Sequence, residues 1–531
     1  MTRSAAIAVI ITAAVAASIL RLPFLSVRPV HTDEAVHAVK FGELLEDNAY
    51  RYDPYEYHGP TLNYFTLIPA WVRGQVAFEQ LDAVTLRLVP AVFSLLLVLM
   101  PILLIKPLGP GVAALASVLT ALSPAFAFYG VYYIQETLLV AFTFMAVAAG
   151  YHYCRSQRPV YAVLTGGALG LAFATKETFL IVLACMIGAA ALWVLVCKRS
   201  GGWSMLQGFG SHVVAGIGAF VVVAVVFFSS FFTNPEGIVD SVRTYGIYFA
   251  RGGGHDTMHV HPWYYYLSLL TAFRLGDGPI WSEAFVLVLA VVGMVAALRK
   301  RLPGDASSGL FCFVGFYAIL LAVAYSVIPY KTPWCLLGFH HGFILLAGLG
   351  GWYLLSLCRG EMRVAVAVVL AAGVLHLGFQ AWMSNGEYAS STENPYVYAQ
   401  TTEDVPEAAK ELELFAKAYQ EDEQLAVEVV FPGGDYWPWP WYLRGFDKVG
   451  YYSGVDFSVE AAPVVIASTE VRGALMRKLY ELPPPGQKHL YVPLTEDELL
   501  LRPAVPFEIY VRKDVYDRAM LSDEIPVGEQ E

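Results

Sequence analysis

The chain has 531 residues, of which 57% are hydrophobic and 15% are charged, and its mean hydropathy is +0.53. Soluble globular proteins carry about 25% charged residues. The composition therefore excludes a disordered chain, a basic nucleic-acid-binding protein and an ordinary cytosolic enzyme. It predicts a polytopic α-helical membrane protein.

The net charge of −11 is unevenly distributed along the chain. Residues 384–531 contain 27 acidic and 12 basic residues, whereas residues 1–383 contain 18 acidic and 22 basic residues. We therefore predict a transmembrane domain over 1–383 and a soluble domain over 384–531. All six cysteines precede residue 384 and none has metal-ligand spacing, so neither structural disulfides nor a zinc site is expected.

About eleven apolar stretches are long enough to be membrane spans, each needing about 20 residues. They are residues 5–24, 84–105, 111–130, 137–154, 160–175, 178–197, 211–231, 280–298, 308–327, 336–356 and 364–383. Two long loops separate some of them, at about 25–83 and 232–279. We expect both long loops on the same side of the membrane.

The basic residues predict the orientation. If the N-terminus is cytoplasmic, the segments on that side hold eleven basic and two acidic residues, as the positive-inside bias requires. The soluble domain is then extracytoplasmic. Its sequence predicts helices at 403–420 and 469–481 and strands at 425–431, 463–467, 489–493 and 507–512, which together describe a small α/β domain.

Ionisable residues at membrane depth cost free energy, so their presence indicates function. We expect the polar residues at the outer ends of the spans to converge on one cavity. They are Asp33, Glu34, His58, Arg87, Gln135, Glu136, Lys176, Glu177, Lys331 and His340.

Asp33 and Glu34 are adjacent, and neighbouring positions on a helix point about 100° apart, so the two carboxylates are expected to have different roles. One interpretation is a general base whose proton affinity is raised in a partly dry cavity. The other is a pair of acidic residues that interact favourably with a helix N-terminus. The spacing supports both equally.

The lysines also admit two interpretations. Lys176 is either a phosphate ligand or part of a Lys–Glu turn pair whose ammonium reaches outward. Lys331, held between prolines, could contact lipid phosphates in general or one particular ligand phosphate. The pair His340-His341 is either packed at the interface or part of a metal site.

Five segments, in this order, resemble motifs of the GT-C membrane glycosyltransferases that use polyprenyl-phosphate sugars, among them the protein O-mannosyltransferases and the lipid A aminoarabinose transferase. The segments are HTDEAVHA at 31–38, HGPTLNYF at 58–65, TLRLVPAVFSLLLV at 85–98, ALSPAFAFYGVYYIQETLLVAF at 121–142 and GGALGLAFATKETFLIV at 166–182. The resemblance covers roughly residues 5–200 closely and the remaining spans in general plan. In the second segment His58 replaces the lysine of the family pattern.

The resemblance implies a GT-C-like architecture and an inverting transfer of a sugar from a polyprenyl-phosphate donor to a glycan, lipid or protein acceptor, with membrane lipids as further partners. It implies that Asp33 is the general base and that Glu34 and Glu136 orient the acceptor or help bind a divalent metal, Mg²⁺ or Mn²⁺. Lys176, Arg87 and Lys331 would bind the donor phosphate, with His58 as a fourth candidate. The expected location is a bacterial or archaeal plasma membrane.

The phrases YKTPW, NPYVYAQTT and YWPWPWYLRG resemble a narrower prokaryotic group of membrane proteins associated with glycan flipping. This leaves a second function open, a non-catalytic flippase accessory that keeps only the lipid-phosphate cleft. Trp437, Trp439 and Trp441 could stack on sugar rings or form a contact between the soluble domain and the membrane.

Overall fold

The structure is a computed structural model of the chain. It describes residues 1–48, 50–55, 58–197, 209–252, 259–304, 306–419, 424–484, 486 and 488–521. The chain divides into two compact units. Unit 1 comprises residues 1–28, 43–76 and 81–398, and unit 2 comprises residues 29–42, 77–80 and 399–531.

Unit 1 is helical, and α2 begins in unit 2 and ends in unit 1. The helices, in chain order, are α1 (Arg3–Ile19), α2 (Thr32–Asp47), α3 (Thr61–Val72), α4 (Ala83–Leu99), α5 (Ile105–Leu108), α6 (Pro110–Leu122), α7 (Pro124–Tyr129), α8 (Glu136–Ser156), α9 (Pro159–Phe173), α10 (Phe179–Cys197), α11 (Phe209–Phe228), α12 (Glu236–Gly252), α13 (Tyr265–Thr271), α14 (Ala284–Leu298), α15 (Ser308–Val327), α16 (Leu337–Leu357) and α17 (Gly360–Asn385).

Within the described residues, eight helices are long and apolar enough to cross a membrane, and α6, α9 and α14 are shorter apolar helices. These helices lie at the eleven apolar stretches predicted from the sequence, whereas the number that cross a bilayer stays a prediction. Glycines let some of them approach closely. A Cβ atom at Gly293 of α14 would overlap the Leu346 carbonyl of α16, so the two backbones are in contact there.

Unit 2 contains a six-stranded sheet flanked by short helices. Its elements are α18 (Asp404–Tyr419), β1 (Val427–Val430), α19 (Trp439–Tyr442), β2 (Val449–Tyr452), β3 (Val464–Ser468), α20 (Arg472–Met476), β4 (Tyr491–Pro493), β5 (Leu499–Arg502), β6 (Val505–Arg512) and α21 (Lys513–Leu521).

The strand order is β2-β1-β3-β6-β4, with β5 paired to β6. β1 is parallel to both β2 and β3, while β6 is antiparallel to β3. Alternate residues of β1 and β3 enter two separate apolar clusters, so both faces of these central strands are covered. The α/β class and four of the strands agree with the sequence prediction, whereas β2 and β5 were missed.

The two compact units divide at 398/399 in this part of the chain, and the predicted domain boundary at 383/384 stays a prediction. Asn385 donates to the carbonyl oxygens of Leu20 and Ala127, and Tyr396 donates to the Glu283 carboxylate. These hydrogen bonds tie the polar segment after α17 to the helical unit. The acidic composition of this segment does not reveal these contacts.

Candidate functional site

Two of the motif segments meet in unit 1. The backbone N–H of Thr61 donates to the Ala174 carbonyl (3.2 Å), and the Thr61 and Thr175 hydroxyl groups are hydrogen-bonded (2.8 Å). A Cβ atom at Gly59 would overlap the Ala174 carbonyl, so only glycine permits this approach. The HGPT segment therefore fixes the loop that carries Lys176.

Lys176 forms a buried ion pair with Glu136, the first residue of α8. Burial on its own would lower the pKa of Lys176, but the attraction of Glu136 outweighs it and the pKa lies above its ordinary value. Lys176 is therefore a buried cation at neutral pH. The second carboxylate oxygen of Glu136, Oε2, has no hydrogen-bond partner within the described part of the chain.

A mostly apolar cleft, with a cavity volume of about 40 Å³, begins at Glu136. On α8 its lining includes Leu139, Val140, Thr143, Phe144 and Val147, which lie on one helix face. At 1.5 Å per residue the stretch from Glu136 to Val147 is roughly 16 Å long. Side chains of α10, α15 and α16 form the other walls, and Glu136 is the only carboxylate among the described lining residues. The cleft therefore combines a mostly apolar lining with the Glu136 carboxylate.

His58 contacts a carboxylate. Its Nδ1 lies 2.7 Å from Glu177 Oε2, and the Tyr52 hydroxyl donates to the other carboxylate oxygen (3.0 Å). Burial raises the pKa of Glu177 but His58 lowers it, and the result lies below the ordinary value. Glu177 is therefore ionised, and a phosphate contact from His58 would have to use the other ring nitrogen.

Two other predicted phosphate ligands bind backbone carbonyls. Arg87 is buried, and its Nη1 donates to the carbonyl oxygens of Leu25 and Arg28 (both 2.9 Å), so it anchors the chain after α1. Lys331 Nζ donates to His261 O (2.9 Å) and Ile328 O (2.5 Å), and burial lowers its pKa. These contacts are too distant in sequence to predict from local spacing. The phosphate roles of both residues stay predictions.

Asp33 and Glu34 are part of unit 2 and differ in their contacts. The Glu34 carboxylate accepts the backbone N–H of His31 (3.0 Å), and the His31 Nδ1 accepts the backbone N–H of Asp33 (3.0 Å). Together they satisfy donors at the N-terminus of α2, as a capping box does. The half-buried Asp33 carboxylate has no hydrogen bond or ion pair within the described residues. The role of Asp33 as a general base stays a prediction.

The three tryptophans have different surroundings within unit 2. Trp439 is 0% exposed and packs edge-on against Phe507, and Trp441 is 3% exposed and contacts Phe78. Their burial in unit 2 leaves no ring face for a sugar or for the membrane. Trp437 is partly exposed. The predicted stacking role therefore applies to Trp437 alone.

The sequence analysis missed Glu283, which is fully buried just before α14. Its carboxylate accepts hydrogen bonds from Ser123 Oγ (2.7 Å), the Ala125 N–H (3.0 Å) and the Tyr396 hydroxyl (2.8 Å), and lies 2.8 Å from His340 Nε2. The same criterion that selected Glu136, a carboxylate directly before an apolar span, would have found it. His340 is thus paired with a carboxylate inside the helical unit.

The predicted divalent-metal role stays a prediction. The described residues contain no group of three His, Cys, Asp or Glu side chains that could hold a metal ion. Glu136 is paired with Lys176, and Glu34 caps α2. No step below is assigned to a metal.

The family model for dolichyl-phosphate-mannose-protein mannosyltransferases matches residues 60–234. This segment contains Lys176, Glu136 and Thr61, which contacts the Lys176 loop. No curated protein sequence matches the chain.

Three solved membrane proteins share the fold. ArnT from Cupriavidus metallidurans, solved in the apo state and bound to undecaprenyl phosphate, is 16% identical with a TM-score of 0.61, over 94% of this chain and 97% of ArnT. AglB from Archaeoglobus fulgidus, an archaeal oligosaccharyltransferase solved with an inhibitory peptide and a dolichol-phosphate, is 12% identical with a TM-score of 0.53, over 88% and 70%.

The arabinofuranosyltransferase AftD from Mycobacteria is 14% identical with a TM-score of 0.50, over 96% of this chain and 40% of AftD. At these identities the likeness establishes the fold rather than the substrate. The matched segment and the shared fold show that this chain has a GT-C-like fold.

Proposed function

We propose that this chain transfers a sugar from a polyprenyl-phosphate donor to an acceptor at the extracytoplasmic face of the plasma membrane. The proposal depends mainly on one observation: the buried Lys176–Glu136 pair lies beside a mostly apolar cleft that Glu136 lines. In the proposed orientation the N-terminus is cytoplasmic and unit 2 is extracytoplasmic.

The mostly apolar lining of the cleft suits the chemistry of an isoprenoid chain. The chain would bury its apolar surface in the cleft, where each Å² removed from water contributes about 25 cal/mol. The phosphate would then lie at the Glu136 end and compete with Glu136 for the Lys176 ammonium. ArnT bound to undecaprenyl phosphate and AglB with a dolichol-phosphate support this class of ligand.

The transfer would be a single displacement. The acceptor oxygen attacks the anomeric carbon, the bond from that carbon to the phosphate oxygen breaks, and its electron pair stays on the phosphate. The Asp33 carboxylate takes the acceptor proton, and Lys176 stabilises the charge that develops on the phosphate. One displacement inverts the configuration at the anomeric carbon.

Donor binding can be measured with undecaprenyl phosphate and the purified protein in lipid nanodiscs. Because a hydrogen bond to a charged group contributes about 1.5–3 kcal/mol, Lys176→Ala should weaken binding by roughly 10- to 100-fold. Lys106→Ala, which removes an exposed cation next to an apolar helix, is the matched control and should bind like wild type. Equal affinity in Lys176→Ala and Lys106→Ala would refute the donor site.

Catalysis can be tested in a deletion strain that carries either wild type or Asp33→Asn at matched expression. We expect wild type to restore a missing surface sugar, while Asp33→Asn fails and accumulates the lipid-linked donor. If Asp33→Asn restores the glycan as well as wild type does, Asp33 is not the base and the accessory function is the better explanation.

A further inference from the structure

A patch of aromatic side chains lies at the carboxyl end of the parallel strands in unit 2. The Tyr436 ring packs 4.9 Å from the Tyr451 ring and 6.1 Å from the Trp437 ring, with interplanar angles of 35° and 31°. All three side chains are partly exposed. We call Tyr436, Trp437 and Tyr451 the aromatic patch.

The patch lies at the carboxyl ends of β1 and β2, next to the switch point between β1 and β3. The connection from β1 to β2 runs in one direction across the sheet. The connection from β2 to β3 crosses β1 in the opposite direction. Ligands of open α/β sheets bind at the carboxyl ends of the strands, beside such a switch. Tyr436 and Trp437 follow the carboxyl end of β1, and Tyr451 is in the last part of β2.

The N-terminus of α2 is attached to the same part of unit 2. The Thr32 hydroxyl donates to the Trp437 carbonyl (3.5 Å), and the Val30 N–H donates to the Tyr442 hydroxyl (2.7 Å). The Thr401 hydroxyl donates to the Val30 carbonyl (2.9 Å). Asp33 directly follows Thr32, so its carboxylate belongs to the same folded unit as the patch.

We infer that unit 2 binds the acceptor and that the acceptor is a saccharide. The face of a sugar ring carries polarised C–H groups that are attracted to the negative face of an aromatic ring, and Trp437 offers such a face. The exposed Asp435 carboxylate, paired with Arg502, precedes Tyr436 and can accept hydrogen bonds from sugar hydroxyl groups. An acceptor hydroxyl would then reach Asp33.

This inference rests on the proposed function, because it takes Asp33 as the base that receives the acceptor proton. The chemistry of the patch also distinguishes between a saccharide and a peptide acceptor. A peptide would be recognised mainly through backbone hydrogen bonds along the edge strand β2. Stacked aromatic rings beside a carboxylate favour a saccharide instead.

Full-length protein in nanodiscs can be applied to an array of defined neutral oligosaccharides built from hexose and N-acetylhexosamine units, together with serine- and threonine-containing peptides. Wild type should bind at least one oligosaccharide, and Trp437→Ala should weaken that binding at least about tenfold, or about 1.4 kcal/mol. Trp437→Phe keeps an aromatic face and should restore most of the affinity. Phe457→Ala, at an exposed aromatic position outside the patch, should bind like wild type.

Two results would overturn the inference: equal oligosaccharide binding by wild type and Trp437→Ala, or binding of peptides with no oligosaccharide bound. Binding of undecaprenyl phosphate to the same preparations, measured separately, reports on the donor site. Loss of donor binding together with Trp437-dependent oligosaccharide binding would refute the proposed donor and leave the saccharide site standing.

Discussion

Neighbouring carboxylates at the start of α2 have different contacts although they are chemically alike. Glu34 accepts the His31 N–H, whereas the Asp33 carboxylate has no partner within the described residues. Their adjacency, with a rotation of about 100° between positions, predicts that they differ. It does not predict which one is bound to the backbone, because that depends on where the helix begins.

Isosteric substitutions can distinguish the roles of Asp33 and Glu34. In Glu34→Gln the amide oxygen can still accept the His31 N–H, so we expect transfer close to wild type. Asp33→Asn cannot take up the acceptor proton, so we expect the rate to fall by roughly 10²- to 10⁴-fold. Surface-glycan restoration in the deletion strain measures both, and an equal loss in the two variants would contradict the division of roles.

Glu283 should be important for stability. Replacing it with alanine removes four polar contacts and leaves His340 and Tyr396 without their buried partner. Leaving a buried polar group without its partner costs about 1–3 kcal/mol, so we expect a clear fall in the thermal midpoint of the purified protein. Glu361→Ala, at the exposed start of α17, is the control and should change the midpoint little. Similar midpoints for both variants would contradict this role of Glu283.

At the scale of elements, the apolar helices could be predicted because about 20 consecutive apolar residues have few alternatives to a membrane-spanning or buried helix. The close contacts between these helices are harder to predict from the sequence. On α9, Gly166 meets the Gly216 backbone of α11, whereas a Cβ at the adjacent Gly167 would meet no atom within 4 Å. The two glycines have the same hydropathy, so a hydropathy profile does not distinguish them.

The two glycines of α9 therefore provide a matched test. Gly166→Ala should push α9 away from α11 and reduce the fraction of protein that stays folded on heating in detergent. Gly167→Ala should be neutral or slightly stabilising, because alanine has a better helix propensity than glycine by about 1 kcal/mol. Equal stability of the two variants would show that the contact between α9 and α11 is more adaptable than the structure indicates.

At the scale of the whole molecule, the charge asymmetry predicts which ends of the helices face the cytoplasm. In a variant whose only cysteine is Cys154, exposed near the end of α8, an impermeant maleimide should react only after permeabilisation. With Ser453→Cys as the only cysteine, on the exposed surface of unit 2, the reagent should label intact cells. The reverse pattern would overturn the proposed orientation.

Hydropathy and charge, read from the sequence alone, were enough to predict a helical membrane protein with an acidic α/β domain. Both quantities are sums over residues that are neighbours in the sequence. The order of the motifs also predicted Lys176 and Glu136 as site residues. Only the tertiary structure decided that Lys176 pairs with Glu136, that His58 contacts Glu177, and that residues 29–42 are part of unit 2. Each of these depends on contacts between segments far apart in sequence, and local patterns of hydrophobicity and charge do not encode such pairings.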